Sequence, residues 1–287
     1  MLVTDAIAPL RAAVDAFRRD GDRIGCVMTM GALHDGHRRL IEAAVAECDR
    51  VVVTIFVNPT QFAPTEDFDA YPRPLEADLA VCREAGAAVV FAPAAATLYP
   101  DGFQTSVTVG KLAERWEGAS RPTHFAGVCT VVLKLLLIAH PDRAYFGQKD
   151  FQQQAVLRRM VTDLNVPVEL VTVPTVRESD GLAMSSRNAY LSAGDRMAAL
   201  AISRGLAQAR AAFAQTGDPG RAADALRETL AATPDIRLDY AVVVDSVTLR
   251  EHTGQDPAAE PVAIVAGRVG QTRLIDNHPL NQPFPNG

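Results

Sequence analysis

Short apolar runs alternate with longer stretches of helical spacing through roughly the first 175 residues. Five segments read as strands: Ile24–Met28, Val51–Val57, Ala87–Phe91, Arg143–Phe146 and Val168–Val173. The run VVVTIFV at 51–57 is apolar apart from Thr54, the pattern of a strand covered on both faces. Between the strands, Arg38–Cys48 places Leu40, Ile41, Ala44 and Val45 on one side of a helix. Leu75–Ala85 ends at Gly86, Val128–Ala139 stops before Pro141, and Phe151–Asp163 forms a further helical stretch. Strands alternating with helices predict βαβ units and a Rossmann-like, doubly wound parallel sheet in an α/β fold.

The pattern then changes. Ser192–Phe213 and Arg221–Ala232 read as Ala- and Arg-rich helices split by Thr216-Gly217-Asp218-Pro219-Gly220, and strands follow at Leu238–Val244, Val262–Ala266 and Thr272–Ile275. Helices followed by strands predict a smaller α+β domain. The expected division is therefore 1–175 and 176–287, and the proline-containing tail Asn277–Gly287 is expected to be irregular.

Composition narrows the function classes. The 287 residues carry a formal charge of −6, which argues against a protein whose main task is to neutralise nucleic-acid phosphates. The longest apolar run, Val131–Ala139, contains Lys134 and is too short to span a bilayer, so no membrane role is expected. Met1–Leu10 lacks a basic start and carries Asp5, unlike a secretory signal. Cys26, Cys48, Cys82 and Cys129 form no CxxC pair and read as buried, reduced thiols, the usage of a cytoplasmic protein.

Four segments carry candidate chemistry, and each is expected after a strand or at the domain junction. Thr29–His37 (TMGALHDGH) runs from a strand into a helix, where unpaired N–H groups and the helix dipole suit a phosphate. His34 and His37, three apart, can both donate to phosphate oxygens; a shared metal or an ordinary solvated helix start are the competing readings. Asn58 and Gln61 offer neutral amides for a hydroxy acid, or simple turn chemistry around Pro59. In Gly147–Gln153, Lys149 stands at a helix start that disfavours cations unless an anion is bound, and Gln153 follows one turn later. Ser185-Ser186-Arg187 combines short hydroxyl donors with a planar guanidinium fork, suited to phosphate or else to a polar interdomain loop. Asp78 lies on a predicted helix as a candidate metal carboxylate, and Arg121–Phe125 as a candidate covering loop. No GxGxxG, Walker A or GxSxG pattern occurs.

In order along the chain, MTMGALHDGH, FVNPTQF, HFAGVCTVVLKL, PDRAYFGQKDFQQ and PTVRESDGLAMSSRNAYLS closely resemble the pantoate–β-alanine ligase family, within the HIGH-type nucleotidyltransferase superfamily. The resemblance is strong over Ile24–Ser192 and rests on size and layout beyond it. It implies an ATP-dependent ligation: pantoate is adenylated with release of pyrophosphate, then β-alanine displaces AMP to give pantothenate. By resemblance, Met30, Gly31, Ala32, Leu33, His34, Asp35, Gly36 and His37 line the ATP site, with His37 at the position termed a proton donor. Gly147, Gln148, Lys149, Asp150, Val176, Met184, Ser185, Ser186 and Arg187 complete it. Gln61 and Gln153, helped by Asn58, bind pantoate, and Gln61 lies near the incoming β-alanine. The resemblance also implies Mg²⁺ with ATP and a homodimer. Two positions depart from the family pattern: Met28 stands where proline is usual, and Ala77 precedes Asp78 where an acidic pair is common. The alternative is a nucleotidyltransferase that leaves the nucleotide on its product, like phosphopantetheine adenylyltransferase, which gives no reason for Asn58, Gln61 and Gln153.

Overall fold

The computed structural model describes residues 1–63, 68–256 and 259–285. Its chain divides into two compact units, one of residues 1–147 with 152–174, the other of residues 148–151 with 175–287. Gln148–Phe151 thus lie in the stretch read above as the first domain yet group with the second unit.

The first unit holds a six-stranded sheet of β1 (Leu2–Thr4), β2 (Ile24–Thr29), β3 (Arg50–Ile55), β4 (Val89–Phe91), β5 (Arg143–Gly147) and β6 (Glu169–Val173). The spatial order is β1-β4-β3-β2-β5-β6, and every pairing is parallel. Side chains alternate between two apolar faces. Ile24, Cys26, Val52, Val89, Phe91, Ala144 and Phe146 pack with α1 (Ile7–Arg19), α6 (His124–Ala139) and α7 (Phe151–Asp163). Val27, Val51, Val53, Val90 and Tyr145 pack with α2 (Asp35–Glu47) and α3 (Leu75–Glu84). Two buried faces explain why these strands read as continuous apolar runs rather than as alternating ones. Two single-turn helices, α4 (Ala95–Leu98) and α5 (Glu117–Ser120), sit in the connection before α6.

The structure adjusts the expected elements at the start of the chain and at α6. The amphipathic α1, which buries Leu10 and Val14, and the edge strand β1 precede the first element expected. Helix α6 begins at His124, four residues before Val128, and is buried on nearly all sides. Gly127 in that first turn lets the backbone pack against Thr60: a Cβ there would lie 2.3 Å from the Thr60 carbonyl oxygen.

In the second unit α8 (Ala193–Thr216) and α9 (Pro219–Ala231) cover one face of an antiparallel sheet, ordered β7 (Ile236–Asp245), β8 (Pro261–Val269), β9 (Thr272–Pro279). Ala241, Val243, Ala263, Val265 and Leu274 meet Ile202, Leu206, Leu226 and Leu230 in its core. Ser192 and Asp218 cap the two helices through their side chains, and Gly217 ends α8 in the left-handed region at φ +66°. The tail is not irregular from Asn277: β9 continues to Pro279, paired through Asn277–Ile264, His278–Ala263 and Pro279–Val262. Pro279 is tolerated because it ends an edge strand. Asn286 and Gly287 of the expected tail lie outside the described residues.

All four cysteines are buried and unpaired. Burial pushes the Cys26 and Cys129 thiols up to about 12 and Cys82 to about 11. No helix among the described residues is long and apolar enough to cross a membrane.

Candidate active site

In the first unit the chemistry gathers at the carboxyl ends of adjacent β2 and β3, where ligands bind in open α/β sheets. The β2–α2 loop makes a tight, left-handed turn: Gly31 has φ +82° and Ala32 φ +51°. Thr29 Oγ1 accepts from Gly31 N at 3.2 Å and donates to the Thr54 carbonyl at 2.9 Å, tying the loop to β3. Asp78 on α3, 2% exposed, holds the loop from the other side. Its two carboxylate oxygens accept Ala32 N at 2.9 Å and Leu33 N at 2.7 Å. Among the described residues no group of three His, Cys, Asp or Glu side chains is placed to hold a metal.

His34 is the N-cap of α2. Its Nδ1 accepts Gly36 N at 3.1 Å, and His37 Nδ1 accepts His34 N at 3.3 Å. The rings lie 4.1 Å apart. A peptide N–H can only donate, so both Nδ1 atoms are acceptors and each neutral ring carries its proton on Nε2. Both rings stand at the N-terminal end of α2.

Gln61 sits in the turn after β3, 9% exposed, with Nε2 2.8 Å from Met30 Sδ of the loop just described. Its carbonyl is held by His124 Nδ1 at 3.0 Å and by Arg121 Nη2 at 3.4 Å. Arg121 and His124 thus brace the turn, whatever covering role the surrounding loop has. Asn58 is 1% exposed, with its amide bonded to Gln61, Gly127, Thr60 and Tyr99. On α7, Gln152 is buried and binds the carbonyls of Leu112 and Arg115 and the N–H of Glu117, while its neighbour Gln153 is half-buried.

The second unit presents the basic groups. Asn277, 1% exposed, donates to the carbonyls of Gln148 and Lys149, both at 2.9 Å, and so shapes the turn that carries the Lys149 ammonium. Ser185–Arg187 follow a narrow loop closed by the Arg177–Ala183 bridge and by Met184 N to the Val176 carbonyl at 2.9 Å. Arg177 anchors that loop through a bidentate pair with Asp276, at 2.7 and 3.2 Å, with both side chains at most 5% exposed. Its guanidinium also covers the Phe284 ring at 4.9 Å. Arg196 clamps Glu178 and Asp180, and Glu178 Oε1 accepts Asn188 Nδ2 at 2.6 Å. Ser185 Oγ accepts Arg187 N at 3.2 Å and starts a 3₁₀ turn over Ser186–Tyr190. Sequence reasoning names Lys149 and Ser185–Arg187 here and misses the residues that hold their loops, Asn277, Asp276 and Arg177, and in the first unit Tyr99.

Comparison with known proteins identifies the family. Residues 2–279 match the model of the pantoate-beta-alanine ligase family. The pantothenate synthetase of Rhizorhabdus wittichii is 50% identical over 277 residues, covering 96% of this chain and 98% of that one. That of Salinispora arenicola is 53% identical over 267 residues, covering 91% and 93%. The crystal structure of pantothenate synthetase from Thermus thermophilus superposes with a TM-score of 0.92 at 48% identity, over 98% of this chain and 99% of that one. The Francisella tularensis pantoate-beta-alanine ligase, complexed with beta-gamma ATP and beta-alanine, gives a TM-score of 0.80 at 33% identity, over 98% of both chains. A six-stranded parallel sheet and a separate antiparallel sheet thus accompany a family match over nearly the whole length, and the chain belongs to the pantoate–beta-alanine ligase family.

Proposed function

We propose that the β2–α2 loop and the turn after β3 form adjoining nucleotide and acid subsites, in which this ATP-dependent ligase condenses pantoate with β-alanine. Family membership selects this activity over the adenylyltransferase alternative. The observation that supports the adjoining subsites is the 2.8 Å approach of Gln61 Nε2 to Met30 Sδ, which brings the acid-binding amide to the first residue of the nucleotide loop.

In the first step a pantoate carboxylate oxygen forms a bond to the α-phosphorus of ATP, and the bond from that phosphorus to the pyrophosphate oxygen breaks. Both reactants are anionic, so the protein's work is positioning and charge stabilisation. His34 and His37 donate Nε2–H bonds to phosphate oxygens as charge grows on the leaving pyrophosphate. Lys149, Ser185, Ser186 and Arg187 bind phosphate oxygens. Met30–Leu33, Asp35, Gly36, Gly147, Gln148, Asp150, Val176 and Met184 line the remainder of the nucleotide. Gln61 and Gln153 bind pantoate. In the second step the β-alanine nitrogen lone pair bonds to the acyl carbon, the bond from that carbon to the AMP phosphate oxygen breaks, and the proton lost by the nitrogen passes to solvent. Each Asp78 carboxylate oxygen accepts one loop N–H; Mg²⁺ would come with ATP and would supply charge neutralisation. A cytoplasmic homodimer completes this reading, supported by the reduced thiols and by the resemblance.

The test is ATP–pyrophosphate exchange with and without pantoate, then AMP release on adding β-alanine. Exchange should require pantoate, and His37→Ala should slow it by more than ~10-fold. Wild-type exchange in that variant would remove His37 from the adenylation step.

A further inference from the structure

Amide orientation is usually ambiguous between oxygen and nitrogen, but backbone groups resolve it at Asn58. The Asn58 side-chain oxygen accepts Thr60 N at 3.4 Å, and its nitrogen donates to the Gly127 carbonyl at 3.2 Å. A flip would set donor against donor and acceptor against acceptor, so one orientation is allowed. The same nitrogen donates to Gln61 Oε1 at 3.1 Å. Gln61 therefore turns its oxygen inward, and Nε2, which donates one N–H to Met30 Sδ at 2.8 Å, has its second N–H for a ligand.

Asn58 is itself held. Its oxygen accepts the Tyr99 hydroxyl at 2.8 Å and the Thr60 hydroxyl at 3.0 Å. Tyr99 is packed edge-on against Phe103 at 5.0 Å, and burial raises the pKa of its phenol, keeping the O–H proton in place for donation. Asn58, 1% exposed and bonded on both ends of its amide, has the surroundings of a support rather than of a direct pantoate contact.

We propose that Tyr99 and Asn58 are positioning residues that fix Gln61 as a hydrogen-bond donor, so that the acid subsite recognises substrate oxygen atoms by donation from Nε2. The proposal rests on the reading that Gln61 faces pantoate. A carboxylate or a hydroxyl oxygen satisfies such a donor, whereas an ammonium does not. Gln61 consequently contributes to binding the acid and takes no proton from the β-alanine amine.

The test is a double-mutant cycle on steady-state KM values for pantoate and ATP, using wild type, Tyr99→Phe, Gln61→Ala and the double variant. Tyr99→Phe keeps the ring and removes only the hydroxyl donor. It is expected to raise the pantoate KM by roughly 3- to 10-fold, the range of one internal hydrogen bond, with the ATP KM unchanged. In the Gln61→Ala background it should add nothing further, because its effect passes through Gln61. If Gln61→Ala leaves the pantoate KM unaltered, the underlying reading of Gln61 fails. If Gln61→Ala weakens pantoate use but Tyr99→Phe has no effect in wild type, raises both KM values equally, or acts in full on top of Gln61→Ala, the positioning role is overturned and the reading of Gln61 stands.

Discussion

Replacing Asp78 by asparagine tests how the β2–α2 loop, the proposed nucleotide loop, keeps its shape. Ala32 in the left-handed region costs an L-residue about 1–2 kcal/mol, and the loop accepts that conformation next to Gly31 in the same region. Two charge-assisted bonds from the buried carboxylate, at 2.9 and 2.7 Å, offset it. Hydrogen bonds to a charged group contribute about 1.5–3 kcal/mol each. Asparagine can accept one of the two N–H groups, but its own NH₂ must then face the other, leaving a buried donor unpaired at a cost of about 1–3 kcal/mol. A net loss of ~2–3 kcal/mol exceeds the cost of the Ala32 conformation, so the loop should relax. At 1.4 kcal/mol per decade, the ATP KM should rise by about 30- to 140-fold. The assay is the KM for ATP at several magnesium concentrations, alongside the pantoate KM. Loop positioning predicts a raised ATP KM that extra magnesium does not restore. An ATP KM within about twofold of wild type, or one restored by magnesium, would refute this reasoning, and restoration would make Asp78 a metal ligand instead.

Two further outcomes follow from the second unit. Asp276→Ala strands the Arg177 guanidinium, whose side chain is 5% exposed, and should destabilise the protein by about 3–5 kcal/mol in urea titrations; a loss below about 1 kcal/mol would mean that the pair does not anchor the loop before Ser185. Burial holds the His278 imidazole below its usual value, so the unfolded chain binds the proton more readily than the folded one. That contribution to stability is complete above about pH 6.5 and is lost as pH falls through the lower folded value. His278→Phe, which keeps a ring beside Phe284, should therefore have a flatter stability profile between about pH 7.5 and 5 than wild type, and parallel profiles would reject the assignment.

The elements that can be read from sequence are those whose signal is local. The strand VVVTIFV has its pattern because helices cover both faces, and Phe151–Asp163 has the same bounds in sequence and structure because helical spacing and its flanking turns coincide. Apolar spacing places the start of α6 four residues late because His124–Gly127 contain polar and small residues whose burial depends on the distant turn at Thr60. Likewise, it cuts β9 short because Asp276, Asn277 and His278 look like loop residues until their buried partners are known.

The site divides along the same line. Groups named for ligand contact, such as His34, His37, Lys149 and Ser185, follow strands or open turns, where local chemistry is informative. The groups that set their geometry do not. Asp78 reaches the nucleotide loop from 46 residues away, Tyr99 reaches Asn58 from 41, and Asn277 reaches Lys149 from 128. Asp78 and Asn277 are polar side chains tolerated in the interior only through partners that the fold supplies, and the half-buried Tyr99 hydroxyl finds its partners in the turn after β3. In isolation a helix aspartate reads as solvated or metal-binding, and a tyrosine as filler. A polar side chain whose bonds go to the backbone or to side chains of the site turn is therefore the stronger signal of a support, because substituting it changes the orientation of the contacting group without removing that group. On this ground Asp78 and Tyr99, rather than further residues of the loops themselves, are the positions where conservative substitution separates shaping the site from touching the substrate.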